Sequence, residues 1–292
     1  MRFLLIHGRK DACVERDRRN RPSRSRAGFS LLELLTVIAI IVFLAGTAVP
    51  AIRSLTRTNK VSSASGQMVD ELRLARRLAI GGRRTVYVLF LPAGIGKVAN
   101  QILTHSYPIP QLRLRDLNML TNLIQGQLRA YAMFSWRSVG DQPGQHHPRY
   151  LTEWRYLPDG ILFAPEKFSD LSLQDWLKLA NSDQNRNPQF RHRRPLPYSW
   201  FPFPSPEGPL VRLPYIAFDP FGRIYYDSPY LPKYPGETIG LARGSVFYPQ
   251  DNRGRPLLQA PPDVVETPKG NRIWVEVNWA TGRAVALPPE QP

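Results

Sequence analysis

The sequence predicts an α+β fold in which one long N-terminal helix precedes an antiparallel, β-rich domain with long Pro-rich loops. Three observations support this prediction. An apolar run covers residues 29–52, and apolar residues then recur at helical spacing as far as residue 80. Of the 29 prolines, all but Pro22 and Pro50 lie between residues 92 and 292. Because proline disfavours helix interiors and central strands, that region should consist of short strands and loops.

The chain begins with a basic leader, residues 1–28, in which nine Lys or Arg face three Asp or Glu, a net charge of +6. The apolar run 29–52 that follows is about the length of a transmembrane helix. The leader's positive charge predicts that this end stays in the cytoplasm. One acid, Glu33, lies near the start of the run, where a carboxylate is costly unless it has a partner.

Two ordinary alternatives exist for this N-terminus, a cleaved secretory signal peptide and an uncleaved signal anchor. A signal peptide would have a shorter apolar region, followed by a small-x-small cleavage site. Neither alternative explains an acid at the entrance of the apolar run.

Beyond the run, residues 53–80 predict an amphipathic continuation of the same helix. We expect Gly81 and Gly82 to end it, since glycine readily takes left-handed dihedral angles. The helical stripe is formed by Val61, Ala64, Met68, Leu72, Ala75 and Ala79.

Residues 83–292 are predicted to form the β-rich domain, with insertions at about 92–126 and 164–214. A short helix is expected over 116–124, and the prolines of 181–214 argue against a central strand there. Turns are expected at Pro158–Gly160, at Asp219–Gly222 and near Thr281–Gly282. The predicted strand regions are 85–91, 127–139, 150–156, 161–163, 215–226 and 238–247, with a final hairpin over 271–287.

The stretch R-A-G-F-S-L-L-E-L-L resembles the prepilin N-terminal cleavage and methylation motif, which type IV pilins and type II secretion pseudopilins share. The motif's glycine, aromatic and acidic positions correspond to Gly28, Phe29 and Glu33. Pro50 stands where many members of this superfamily have a helix-kinking proline. The resemblance implies a pilin-like fold, with the long helix packed on an antiparallel sheet or sandwich.

The same resemblance implies the function of these residues. A prepilin peptidase that is also an N-methyltransferase would cut between Gly28 and Phe29 and methylate the new Phe29 amine. Glu33 would pair with such an amine during assembly with other pilins or pseudopilins. The protein would be single-pass in the bacterial inner membrane with its C-terminal domain in the periplasm, and it would not be an enzyme.

Three further blocks resemble the H-type minor pseudopilins. They are L-R-L-A-R-R-L-A-I-G-G-R-R-T-V-Y-V-L-F, F-D-P-F-G-R-I and W-V-E-V-N-W-A-T-G-R-A-V. These blocks lie at both ends of the predicted domain, whereas the two insertions exceed a typical member. The resemblance implies a minor subunit of a type II secretion or type IV pilus filament.

Catalytic, metal and cofactor sites are not predicted. Cys13, the only cysteine, lies in the leader, so the mature chain would have neither a disulfide nor a thiolate ligand. The histidines of the mature chain have no metal-ligand spacing, and the known hydrolase and phosphate-loop motifs are absent from the sequence. The histidines are His105, His146, His147 and His192.

A basic and aromatic cluster supports a second functional hypothesis. Arg191, Arg193 and Arg194 precede Tyr198, Trp200, Phe201 and Phe203, and such a combination can bind phosphates and stack on bases. The alternative function is therefore a minor pilin that binds DNA for natural transformation. The competing interpretation is a proline-rich loop whose aromatic residues pack on the sheet, together with a soluble basic surface that accounts for the net charge of +10 left when the leader's +6 is subtracted from +16.

Overall fold

The computed structural model describes residues 30–104, 114–137, 140–141, 147–170, 172, 174–175, 178, 192, 194–227, 236–253, 257, 260–267 and 272–288. The chain divides into two compact units, Met1–Ile52 and Arg53–Pro292. The fold is α+β, with an N-terminal helix and antiparallel sheets.

Helix α1 extends over Leu31–Gly82. Its second part, within the second unit, buries all six residues of the predicted stripe, from Val61 to Ala79. Asp70, Arg73 and Arg77 lie off the stripe and are exposed. The helical periodicity of this segment therefore identified the buried face of the helix correctly.

The C-terminal end of α1 differs from the prediction. The left-handed residue is Arg83, with φ of 47°, and not Gly81 or Gly82. Arg83 N donates to Ile80 O (3.3 Å) and Arg84 N donates to Ala79 O (3.2 Å), which is the hydrogen-bond pattern of a Schellman motif. The helix uses both glycines in its last turn and places an arginine in the position that glycine usually takes.

After α1, the described residues include two shorter helices with defined bounds, one 3₁₀ helix at Pro165–Phe168 and twelve strands, and residues 174–175, 178 and 192 are also helical. The short helices are α2 (Ile95–Thr104) and α3 (Leu114–Ile124). The strands are β1 (Val86–Phe90), β2 (Ala130–Ser135), β3 (Arg149–Tyr150), β4 (Arg155–Tyr156), β5 (Ile161–Phe163), β6 (Tyr198–Pro202), β7 (Leu210–Phe218), β8 (Ile224–Tyr225), β9 (Gly236–Phe247), β10 (Asp263–Glu266), β11 (Arg272–Asn278) and β12 (Ala284–Ala286).

The strands form two antiparallel sheets. The first has the order β3-β2-β1-β7-β6, with β4 also paired to β2 and β8 to β7. The second has the order β10-β9-β11-β12, with β5 also paired to β9. Most of the predicted strand regions are confirmed, and the final hairpin, β11–β12, forms one edge of the second sheet.

The central strands of the first sheet are buried on both faces. Val86, Val88 and Phe90 of β1 point into a core shared with α1 and the second sheet. Tyr87 and Leu89 point into another core on the opposite face. This arrangement explains why every residue of β1 and β2 is buried. In a sheet with one solvent-exposed face, buried and exposed residues would alternate along each strand.

The two segments predicted to be insertions supply the cover for that opposite face. The first insertion contributes residues of α2 and α3, including Ile95, Leu120 and Leu123, and the second contributes Phe201 and Phe203. The predicted helix over 116–124 corresponds to α3, whereas α2 was not predicted. The insertions are therefore part of the hydrophobic core.

The prediction that residues 181–214 contain no central strand is wrong at its C-terminal end. Strand β7 begins at Leu210, includes Pro214 and lies between β1 and β6. Pro214 is the last β7 residue in register with β6, and Tyr215 is the first in register with β1. The proline is tolerated because it stands where the strand changes partner.

Candidate processing and assembly site

Ser30 starts helix α1 as its N-cap residue. Its Oγ accepts a hydrogen bond from Glu33 N (3.1 Å), and its carbonyl oxygen accepts one from Leu34 N (3.1 Å). Ser30 and Glu33 have the S-x-x-E spacing of a capping box. Sequence reasoning assigned Glu33 to assembly and missed this local role, although the spacing was visible.

Glu33 lies in the first turn of α1 and is exposed. A carboxylate there interacts favourably with the partial positive charge of the helix N-terminus. The Thr36 hydroxyl donates to the Glu33 carbonyl oxygen (2.9 Å) and occupies the turn above it. Glu33 is therefore an exposed anion at the helix start.

The helix surface around Glu33 is apolar on every side. The large apolar side chains from Leu31 to Leu44 are between 44% and 81% exposed, with Leu31 at 81% and Phe43 at 72%. Eleven of the fourteen positions 31–44 carry these side chains, and they cover all faces of a helix, since 3.6 residues complete a turn. An apolar surface of this kind is typical of a segment that is buried in lipid or among other helices.

Residues 23–49 match the family model described as the prokaryotic N-terminal methylation motif. The chain carries a type IV pilin-like prepilin motif. No curated protein and no solved structure matches the chain. Motifs of this kind belong to prepilin-type precursors, which a prepilin peptidase processes and which assemble with other pilins as structural subunits. The H-type resemblance of the later blocks stays a prediction.

Three of the predicted features of the prepilin motif are not described by the structure. Gly28 and Phe29 lie outside the described residues. Pro50 lies within α1, but its side chain is outside the described part, so the kink stays a prediction.

Among the described residues, no helix has both the length and the apolar character needed to cross a membrane. The span predicted over 29–52 is therefore not confirmed.

Arg194, one of the three arginines of the predicted nucleic-acid contact, lies in the protein interior. Arg194 is 2% exposed, and its Nη2 donates to Glu237 Oε1 (2.8 Å) and to Gly236 O (2.6 Å). A guanidinium so enclosed is not available to a phosphate on the surface. Arg191 and Arg193 lie outside the described residues.

The aromatic residues of the same cluster pack mostly within the protein, as the competing interpretation of a proline-rich loop predicts. Phe201 and Phe203 are fully buried in the core on the outer face of the first sheet. Tyr198 OH donates to Phe168 O (2.6 Å), and burial raises its pKa. Trp200 alone of the four is largely exposed. In the second functional hypothesis these aromatic residues stack on bases, but three of the four pack within the protein.

Lys167 occupies the interior near Arg194. Its Nζ donates to Arg194 O (2.5 Å) and to Thr238 Oγ1 (3.1 Å), and these two acceptors match the two N–H groups of a neutral amine. Burial lowers the pKa of Lys167 to about 7, against the opposing effect of the Glu237 charge. Tyr226 OH also donates to Glu237. No sequence pattern connects these residues, because they come from separate segments.

Each of the two described histidines of the mature chain contacts another side chain. His147 Nδ1 lies 3.0 Å from Asp141 Oδ1, and the buried His192 ring stacks on Trp274 at 4.4 Å. Within the described ranges, no group of three or more His, Cys, Asp or Glu side chains is arranged to hold a metal ion. His105 and His146 fall outside those ranges.

Proposed function

We propose that this protein is a minor pseudopilin or minor pilin, assembled into the filament of a type II secretion or type IV pilus system. A prepilin peptidase cuts between Gly28 and Phe29 and methylates the Phe29 amine. The helix that begins at Leu31 then anchors the protein in the inner membrane, with its N-terminus cytoplasmic and the β-rich domain periplasmic. In the assembled state, the helix enters a filament in the periplasm.

The observation that supports this proposal best is the exposed apolar helix surface with a single acid in its first turn. An apolar surface this long is unfavourable in water at roughly 25 cal/mol per Å². Lipid removes it from water before assembly, and neighbouring helices remove it in a filament. Glu33 is the one charge on that surface, so its burial requires a counter-charge.

The counter-charge is the amine that processing creates. A cation at a helix N-terminus meets the positive end of the helix dipole, which is unfavourable. Glu33 stands four residues from Phe29, so its carboxylate can offset the amine of its own chain or of a neighbouring subunit. Pairing with a neighbour would set the register of a subunit as it joins the filament.

Glu33→Gln tests the assembly step, because it removes the charge and keeps the side-chain size. We expect cleavage at the wild-type level, since Gly28 and Phe29 are unchanged, and loss of the protein from sheared or purified filaments. Glu33→Asp, which keeps the charge, is the matched control and should retain part of the assembly. Normal co-purification of Glu33→Gln with filaments would contradict the proposed role of Glu33.

DNA binding has less support than filament assembly. Of the three arginines that the hypothesis rests on, Arg194 is paired inside the protein. The hypothesis then depends on Arg191 and Arg193.

A further inference from the structure

Two turns of the β-rich unit meet the last turns of helix α1. Arg76 Nε donates to Gly222 O (3.2 Å), in the turn after β7, and to Thr281 O (2.7 Å), in the turn after β11. A Cβ atom on Gly282 would lie only 2.0 Å from Gly222 O, so the two turns are in direct contact. The three sequence blocks that resemble H-type pseudopilins thus converge at one place.

An apolar pair is exposed at this junction. Phe221 is 75% exposed, and Ile80 of α1 is 40% exposed. A Cβ atom on Gly222 would lie 2.7 Å from Ile80 Cδ1, which places the Phe221 turn directly beside Ile80. The Arg223 guanidinium carbon lies 5.0 Å from the centroid of the Phe221 ring, within cation–π distance. The most exposed aromatic ring of the described residues therefore packs against the Arg223 guanidinium.

The segments that form this junction also carry four arginines. Arg223 pairs with Asp219 (3.0 Å), and Arg76 is bound to the two carbonyl oxygens. Arg77 and Arg283 are exposed, and neither forms an ion pair with another described residue. We define the Phe221 surface as Arg76, Arg77, Ile80, Phe221, Arg223 and Arg283. Asp219, the carboxylate paired with Arg223, offsets one of its four positive charges.

We propose that the Phe221 surface docks an acidic face of another protein subunit, with Phe221 as the apolar anchor. The proposal rests on the proposed function in that the partner is a subunit of the same assembly. Exposed aromatic and arginine residues on a preformed support are the residues that most often dominate protein interfaces. The charges favour an acidic partner and increase its rate of association.

A second copy of this chain fits this surface poorly, because the chain still carries a net charge of +10 once the leader's +6 is subtracted from +16, and its copies repel one another. Nucleic acid also fits poorly. The guanidinium groups of Arg76 and Arg223 are committed to carbonyl oxygens and to Asp219, and the Phe221 ring is stacked by Arg223. A nucleic-acid surface would present free cations along a groove together with free ring faces.

A photo-crosslinking amino acid at position 221 of the full chain tests the proposal in the cells that assemble it. We expect one major crosslinked protein with a cluster of Asp or Glu at the crosslinked face. The matched control is the same amino acid at Trp200, which is 57% exposed on β6. The control position should not give this product.

Charge reversal provides the second measurement. We expect the double variant Arg77→Glu, Arg283→Glu to lower the crosslink yield at least tenfold, and reversal of the partner's acids to restore it. Arg253→Glu changes an exposed arginine outside the surface and should leave the yield unchanged. Thermal melting of each variant separates loss of docking from loss of folding.

Several outcomes would overturn the docking proposal. These are a crosslink to nucleic acid, a crosslink to a second copy, no crosslink at position 221, or the same product from position 200. They leave the proposed function standing if Glu33→Gln still prevents assembly. Normal assembly of Glu33→Gln, by contrast, contradicts the proposed function whatever position 221 contacts.

Discussion

Lys167 and Arg194 bring two basic side chains into the interior, where Glu237 is the carboxylate that pairs with Arg194. If both basic groups were charged, the buried cluster would hold an uncompensated positive charge. A neutral Lys167 removes that charge, which agrees with its two hydrogen-bond acceptors. The interior of this unit therefore depends on the protonation of one lysine.

The first prediction concerns pH. The pKa of Lys167 is about 7 in the folded chain, below its ordinary value of 10.5, so between these values the unfolded chain binds more protons than the folded chain. The free energy of unfolding should therefore rise with pH from about 7 to 10, by at most ~1.4 kcal/mol per unit. Denaturant melts of the full chain in detergent solution would measure this slope.

Lys167→Met is the matched control for that slope, because it keeps the length of the side chain and removes the titrating group. We expect the variant to show a flatter pH dependence over the same range. An equal slope in the wild type and the variant would mean that Lys167 is charged when folded.

The second prediction concerns Arg194. Arg194→Ala leaves Glu237 buried without its cation, and we expect the unfolding free energy to fall by about 3–5 kcal/mol. Affinity for DNA, measured by gel shift on the protein that remains folded, should not change, because Arg194 is enclosed. The exposed Arg253→Ala should alter neither quantity. A loss of DNA affinity without loss of stability would restore Arg194 as a surface contact.

At the scale of elements, the junction between α1 and β1 carries local strain. Arg83 adopts a left-handed conformation that is unfavourable for a residue with a Cβ atom. Arg83→Gly relieves that strain and should raise the unfolding free energy by about 0.5–1 kcal/mol. Arg84→Gly, one residue further and outside the left-handed region, should give no such gain. An unchanged or lower stability for Arg83→Gly would contradict the Schellman assignment.

The contact between the two turns gives another element-scale prediction. Gly282→Ala combines a φ of +61° with a Cβ that would lie 2.0 Å from Gly222 O, so the turns must separate. Gly160→Ala is the control, since Gly160 has a φ of +81° and open space around it. We expect Gly160→Ala to cost about 1 kcal/mol and Gly282→Ala clearly more. Equal melting temperatures for the two variants would contradict the close contact.

Elements whose structure is set by residues close together in the sequence were predicted well. The stripe from Val61 to Ala79 was correct because a helix packed on one side repeats its apolar positions. The turn at Asp219–Gly222 was correct because its chemistry is local, with Asp219 Oδ1 accepting from Phe221 N and Arg223 N. The left-handed residue at the end of α1 was misplaced, since glycine preference is only a tendency.

Other features depend on contacts between distant segments, and sequence patterns do not carry them. Strand β7 accepts Pro214 because the strand changes partner there, which local propensity cannot reveal. From the sequence alone, Arg194 resembles a surface cation beside aromatic residues. In the folded chain its Nη2 lies 2.8 Å from Glu237 Oε1. The candidate site at Glu33 was predicted from a local motif, whereas its capping partner Ser30 was overlooked.

At the scale of the whole molecule, the prepilin motif and the β-rich unit have different roles. In our proposal, the motif at residues 23–49 directs processing and assembly. The β-rich unit has a first sheet whose central strands are buried on both faces, and the two segments predicted to be insertions cover one face. In our proposal this unit is the part that the filament presents, and Phe221 lies on its contact surface.

The mass of the mature N-terminus, measured on protein purified from cells with an active prepilin peptidase, tests the central claim most directly. We predict a chain that begins at Phe29, with one methyl group on its α-amine, and an uncleaved precursor when Gly28 is replaced by a bulkier residue. A mature chain that begins at Met1, or at any residue other than Phe29, would contradict the account.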